Sequence, residues 1–84
     1  MAELTDDIVG LVDVVVRPLV EFPDDLKLEG SESADGSILV EIRVNEEDAG
    51  KVIGRQGRVI KAIRTLARAA ASREGVHVEV ELID

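Results

Sequence analysis

Gly54-Arg55-Gln56-Gly57 divides what would otherwise be one helical stretch between two strand-like segments. Upstream, Asn45 is a good N-cap, and Glu46-Glu47-Asp48 places three carboxylates at the favourable end of a helix dipole. Downstream, Val59, Ile60, Ile63, Leu66, Ala67 and Ala70 recur at helical spacing until Gly75, a natural stop. Ile38–Val44 and Val76–Leu82 alternate apolar and polar residues on either side of this pair of helices. A chain that goes strand, short helix, glycine corner, long helix, strand has few ways to fold. Gly57 must open the second helix, and the corner must be tight.

The N-terminal half completes the order. Thr5 serves as an expected N-cap, with Asp6 and Asp7 following, and Leu4, Ile8, Leu11, Val12, Val15 and Leu19 mark an apolar face. This predicts a helix over about residues 5 to 17, kinked at Pro18 if it reaches Val20. Pro23-Asp24-Asp25 reads as a turn, Leu26–Glu29 as a short strand, and Gly30–Gly36 as a polar loop. The short strand and Ile38–Val44 then form an antiparallel hairpin. The predicted order is α-β-β-α-α-β in an α+β fold.

Eighty-four residues with 45 % apolar content suit a single domain over 1–84 with one core. There is no cysteine and one histidine, His77, which leaves no thiolate chemistry and no expected metal or cofactor site. His77 itself reads as a surface or cross-strand residue, so the chain is not expected to be an enzyme. The longest apolar stretch, Ile8 to Val20, is broken by Asp13 and Arg17 and is too short for a membrane span. The acidic start Met1–Asp7 is unlike a secretory leader, which points to the cytoplasm.

Charge is segregated. From Lys51 to Arg73 there are seven basic residues (Lys51, Arg55, Arg58, Lys61, Arg64, Arg68, Arg73) and no acid, while all other positions carry 3 basic and 18 acidic residues. A net charge of −8 argues against nucleic-acid binding taken alone. Screening over roughly 8 Å lets a local patch act independently of that total. The two glycines can serve a plain helix corner. They can also let an anion approach the backbone at a helix N-terminus, with Arg55 and Gln56 as extended donors. Arg58, Lys61, Thr65, Arg68 and Ser72 share the second helix's polar face, with Arg64 at its margin and no carboxylate to pair with. Lys51, Arg55, Arg58 and Lys61 lie near enough to the corner to share one ligand; Arg68 and Arg73 read as bystanders. Phe22 is the one aromatic residue, so no stacking platform exists and base contacts would be aliphatic or hydrogen-bonded.

Val52-Ile53-Gly54-Arg55-Gln56-Gly57-Arg58-Val59-Ile60-Lys61-Ala62-Ile63-Arg64 resembles the core of a KH domain, with its I-G-x-x-G-x-x-I signature. The α-β-β-α-α-β order resembles the prokaryotic, type II arrangement. Gly50–Gly54 and Ala62-Ile63-Arg64-Thr65 are similar to the small bacterial single-KH proteins of the KhpA family. The resemblance implies a three-stranded mixed sheet with three helices packed on one face. It also implies a single-stranded RNA-binding protein, of post-transcriptional regulator or RNA chaperone type, whose Gly54–Gly57 loop clamps the backbone of about four nucleotides. Lys51, Ile53, Gly54, Arg55, Gln56, Gly57, Arg58 and Lys61 would be its RNA-binding residues, with Val52 and Ile60 either beside the groove or in the core. Gly30–Gly36 would stand on the groove's other rim as the family's variable loop. Pairing into a homodimer, or a heterodimer with a larger KH-containing protein, is implied as well. Ala67, Ala69, Ala70 and Ala71 offer a surface for close packing, or else an ordinary helix-on-sheet contact. The alternative reading is a dimeric protein-interaction adaptor with weak RNA affinity; a small enzyme or binder of phosphorylated metabolites, using the helix N-terminus, is a third.

Overall fold

The computed structural model describes residues 2–83. Helix α1 (Ala2–Val16) is followed by strands β1 (Lys27–Glu32) and β2 (Ile38–Arg43), helices α2 (Ala49–Ile53) and α3 (Arg58–Ser72), and strand β3 (Val78–Ile83). The sheet order is β1-β2-β3, with β1 antiparallel and β3 parallel to β2. This is the α+β, type II KH architecture expected from the sequence.

The core lies between the helices and one face of the sheet. Ile38, Val40 and Ile42 of β2 and Val78 and Val80 of β3 are buried there against Ile8, Val12 and Val16 of α1, Val52 of α2 and Ile60, Ile63, Ala67 and Ala71 of α3. Alternation on the strands and three- to four-residue spacing on the helices direct these side chains inward. Ala67 and Ala71 are both fully buried within the chain. Leu66, expected on the apolar face, is instead exposed.

The first helix begins earlier than its sequence suggests. Thr5 lies inside α1 and does not cap it; its side chain is buried and its hydroxyl donates to Glu32 Oε1 at 3.4 Å. Pro18 ends the α-helical hydrogen bonding, and the chain continues as one tighter 3-10 turn over Arg17–Leu19.

Gly30, Ser31 and Glu32 are strand and not loop. They pair with Val40, Leu39 and Ile38, so the connecting turn shrinks to Ser33–Ser37. Their polar composition hides the strand because they sit at a sheet edge, while Gly30 is required by the helix above it. A Cβ there would lie 2.6 Å from Val9 Cγ2 and 2.7 Å from Thr5 Cγ2. In the turn, Asp35 Oδ1 accepts from the hydroxyls of Ser33 and Ser37, both at 2.7 Å, and from the Ser37 N–H at 3.0 Å. These donors, Ser37 foremost, hold the Asp35 carboxyl far below the usual carboxylate range.

Helix α3 ends on Gly75 (φ 66°), with Gly75 N–H bonded to Ser72 O and Val76 N–H to Ala71 O. This is a Schellman closure, and it reverses the chain into β3.

Candidate nucleic-acid interface

The corner between α2 and α3 is built from three unusual backbone conformations within four residues. Gly54 has φ 77° and ψ 172°, Gln56 has φ 57° and ψ 24°, and Gly57 has φ 73° and ψ 16°. The Gly54 N–H closes α2 on Gly50 O at 2.9 Å, and the Gly57 N–H returns to Gly54 O at 3.1 Å. Gln56 is the one described non-glycine residue with positive φ. An L-residue held left-handed is a strained conformation of the sort that clusters at ligand sites. Its side chain is held in turn, since Arg58 Nη2 donates to Gln56 Oε1 at 3.1 Å.

The two glycines serve different needs. At Gly54 the space a Cβ would need is taken by Val59, whose Cγ2 would lie 2.3 Å away. At Gly57 the nearest atoms to such a Cβ are Lys61 Cε at 3.8 Å and Ile60 Cγ2 at 3.9 Å, so the glycine answers the backbone angle and leaves the surface open. Close approach of a ligand to the backbone is therefore a property of Gly57, at the N-terminus of α3. Arg55, Arg58 and Lys61 are exposed around it.

Lys51 is not part of that free cluster. Its Nζ lies 2.6 Å from Glu21 Oε1 and 3.3 Å from Asp48 Oδ1. The hydrogen bond it donates to Glu21, followed by that to Asp48, raises its pKa. The sequence placed Asp48 among three carboxylates at a helix start. Asp48 is instead fully buried, and its two oxygens accept the backbone N–H groups of Glu21 and Phe22, each at 3.0 Å. Asn45 caps as expected, accepting from the Glu47 N–H at 2.9 Å. Of the aliphatic residues, Val52 and Ile60 belong to the core, and Ile53 alone is exposed beside the corner.

From the corner, α3 runs back antiparallel to β3, and an open groove lies between them, lined by Lys61, Arg64, Arg68, Glu79, Val80 and Glu81 among others. Arg64 Nε donates to Val80 O at 3.1 Å and Arg68 Nε to Val78 O at 3.5 Å. Arg68 also meets Glu79 at 3.5 Å. The sequence reading missed this wall, treating Arg68 as a bystander and the cationic helix face as lacking carboxylates. The signal was available in the Val-Glu-Val-Glu alternation of 78–81, which puts Glu79 and Glu81 on one side of an edge strand.

The Ser33–Ser37 turn stands away from the glycine corner. It precedes Ile38, which is in register with Val78, whereas the glycine corner adjoins the Arg43 and Ile83 end. The two stand at opposite ends of the sheet.

A family model for the KH domain of KhpA and KhpB matches residues 10–82, nearly all of the chain and the whole of this site. The chain belongs to the KhpA/KhpB KH-domain family. It is 45 % identical over 73 residues to the RNA-binding protein KhpA of Clostridium perfringens, covering 87 % of this chain and 96 % of that one. With the RNA-binding protein KhpA of Leifsonia xyli subsp. xyli it shares 47 % identity over 70 residues, 83 % of this chain and 88 % of the other. Among solved structures, Era in complex with MgGDPNP and nucleotides 1506–1542 of 16S ribosomal RNA superposes with a TM-score of 0.61 at 26 % identity. That match covers 94 % of this chain but 30 % of Era, so it concerns one portion of the larger protein. Among the described residues no helix is long and apolar enough to cross a membrane.

Proposed function

We propose that this chain is a non-enzymatic, single-stranded RNA-binding protein of the cytoplasm that grips the RNA backbone at the Gly54–Gly57 corner. One observation carries the reading. The corner presents an unobstructed backbone at Gly57, on the N-terminus of a 15-residue helix, ringed by the exposed Arg55, Arg58 and Lys61. The positive end of the α3 dipole favours a phosphate there, and the cations add a salt-sensitive attraction. Gly54, Gln56 and Ile53 shape the corner, and Lys51 acts behind it by fixing α2. Era, seen with ribosomal RNA, supports the same ligand class for the fold.

Titration of labelled single-stranded RNA into wild type and an Arg55→Asp/Gln56→Asp variant, at two salt concentrations, tests this. Wild type binds, weakens with salt, and loses binding in the folded variant. Equal binding by both proteins overturns the clamp.

Pairing of two such domains, as a homodimer or with a larger KH-containing protein, belongs to the same reading, because one short groove gives limited affinity. Its basis is the family, whose model spans both KhpA and KhpB. The buried Ala67 and Ala71 contribute nothing to it, as they are consumed in the core.

A further inference from the structure

The groove along the free edge of β3 has two chemically opposite walls. Helix α3 supplies Lys61, Arg64 and Arg68, and β3 supplies Glu79 and Glu81. The strand's outward carbonyls at Val78 and Val80 already receive the Nε groups of Arg68 and Arg64, so what Arg64 offers a ligand is its terminal N–H groups. Glu79 is engaged by Arg68 at 3.5 Å and lies 3.6 Å from His77. Glu81 is exposed and has no ion-pair partner among the described residues.

A carboxylate beside the path of a polyanion is unfavourable unless the ligand brings donors to it. Guanine does so in a way the other bases do not. Its Watson–Crick edge sets two N–H donors, N1–H and the N2 amino group, next to the O6 acceptor. A carboxylate can take both donors and a guanidinium the O6. Adenine and cytosine each present a single amino donor beside a ring-nitrogen acceptor, and uracil a single N–H between two carbonyls. The geometry points to a guanine-reading site in this groove, with Glu81 accepting from N1–H and N2–H and Arg64 donating to O6. The inference rests on the RNA-binding reading above and assigns its base preference.

The test is a titration of short oligouridines carrying guanosine, inosine, adenosine or cytidine at one central position. The proteins are wild type, Glu81→Gln and the Arg55→Asp/Gln56→Asp variant. Guanosine should bind about fivefold or more tightly than adenosine, with inosine, which lacks the N2 amino group, in between. Glu81→Gln should bring the guanosine-to-adenosine ratio near unity without weakening adenosine binding, since it removes a negative charge from the RNA path. Equal affinity for all four bases, still abolished by the corner variant, overturns the guanine site and leaves the clamp standing. A guanosine preference that survives Glu81→Gln overturns the role of Glu81. Failure of every oligomer to bind removes both readings.

Discussion

Gly54 and Val59 approach so closely that a methyl group on the glycine would overlap the valine side chain and lie 2.9 Å from its backbone nitrogen. The corner's shape is thus set by packing onto the first turn of α3 as well as by backbone angles. Gly54→Ala combines that overlap with a φ/ψ pair open essentially to glycine alone, and should lower stability by about 2–4 kcal/mol. Gly57→Ala meets open space and should cost about 1–2 kcal/mol, the left-handed penalty alone. Urea denaturation of the two variants checks the order; equal losses would mean that Val59 does not hold the corner.

Asp48 ties the segment after α1 to the start of α2. Burial works to raise its pKa, but the N–H groups of Glu21 and Phe22 and the Lys51 ammonium outweigh it, and the folded-state value is lowered. A carboxyl with a lowered folded pKa stabilises the fold fully above its unfolded value, about 3.9, and loses that contribution as pH falls through the folded value. Asp48→Asn should therefore melt roughly 5–10 °C below wild type at neutral pH. The gap should narrow as pH drops below about 4. Thermal melts from neutral to acid pH measure this, and a gap independent of pH would contradict it.

Because Lys51 is held by Glu21 and Asp48, it should contribute less to RNA affinity than the free cations near Gly57. Arg58→Ala should weaken binding and flatten the dependence of log affinity on log salt by about 0.7, the loss of one phosphate contact to a single strand. Lys51→Ala should leave that slope nearly unchanged while lowering thermal stability. A slope change as large as that of Arg58→Ala would place Lys51 on the RNA.

Much of this was legible in the chain itself. The glycine corner, the Asn45 cap, the Gly75 stop and the β2 and β3 alternation are local signals, and each determined its element. What escaped depends on contacts distant in sequence. Gly30-Ser31-Glu32 is a strand because β2 pairs with it, and its glycine answers to Thr5 and Val9. Thr5 has the composition of a cap but packs inside α1. Lys51 belongs by sequence to the basic segment, yet Glu21, thirty residues earlier, holds it. No local pattern reports such a partner.

The open face of the sheet carries a row of like charge, with Glu29 opposite Glu41 and Glu41 opposite Glu81. Like charges directly opposed across strands are destabilising. Glu41→Lys should convert both repulsions to attractions and raise stability by about 0.5–1 kcal/mol. The gain should shrink in high salt, as paired urea denaturations at two ionic strengths would show.

That row also has a kinetic meaning. A polyanion drifting toward the open face of the sheet meets this acidic row and is repelled, while one drifting toward the glycine corner meets the exposed Arg55, Arg58 and Lys61. The uneven field therefore favours encounters that arrive corner first.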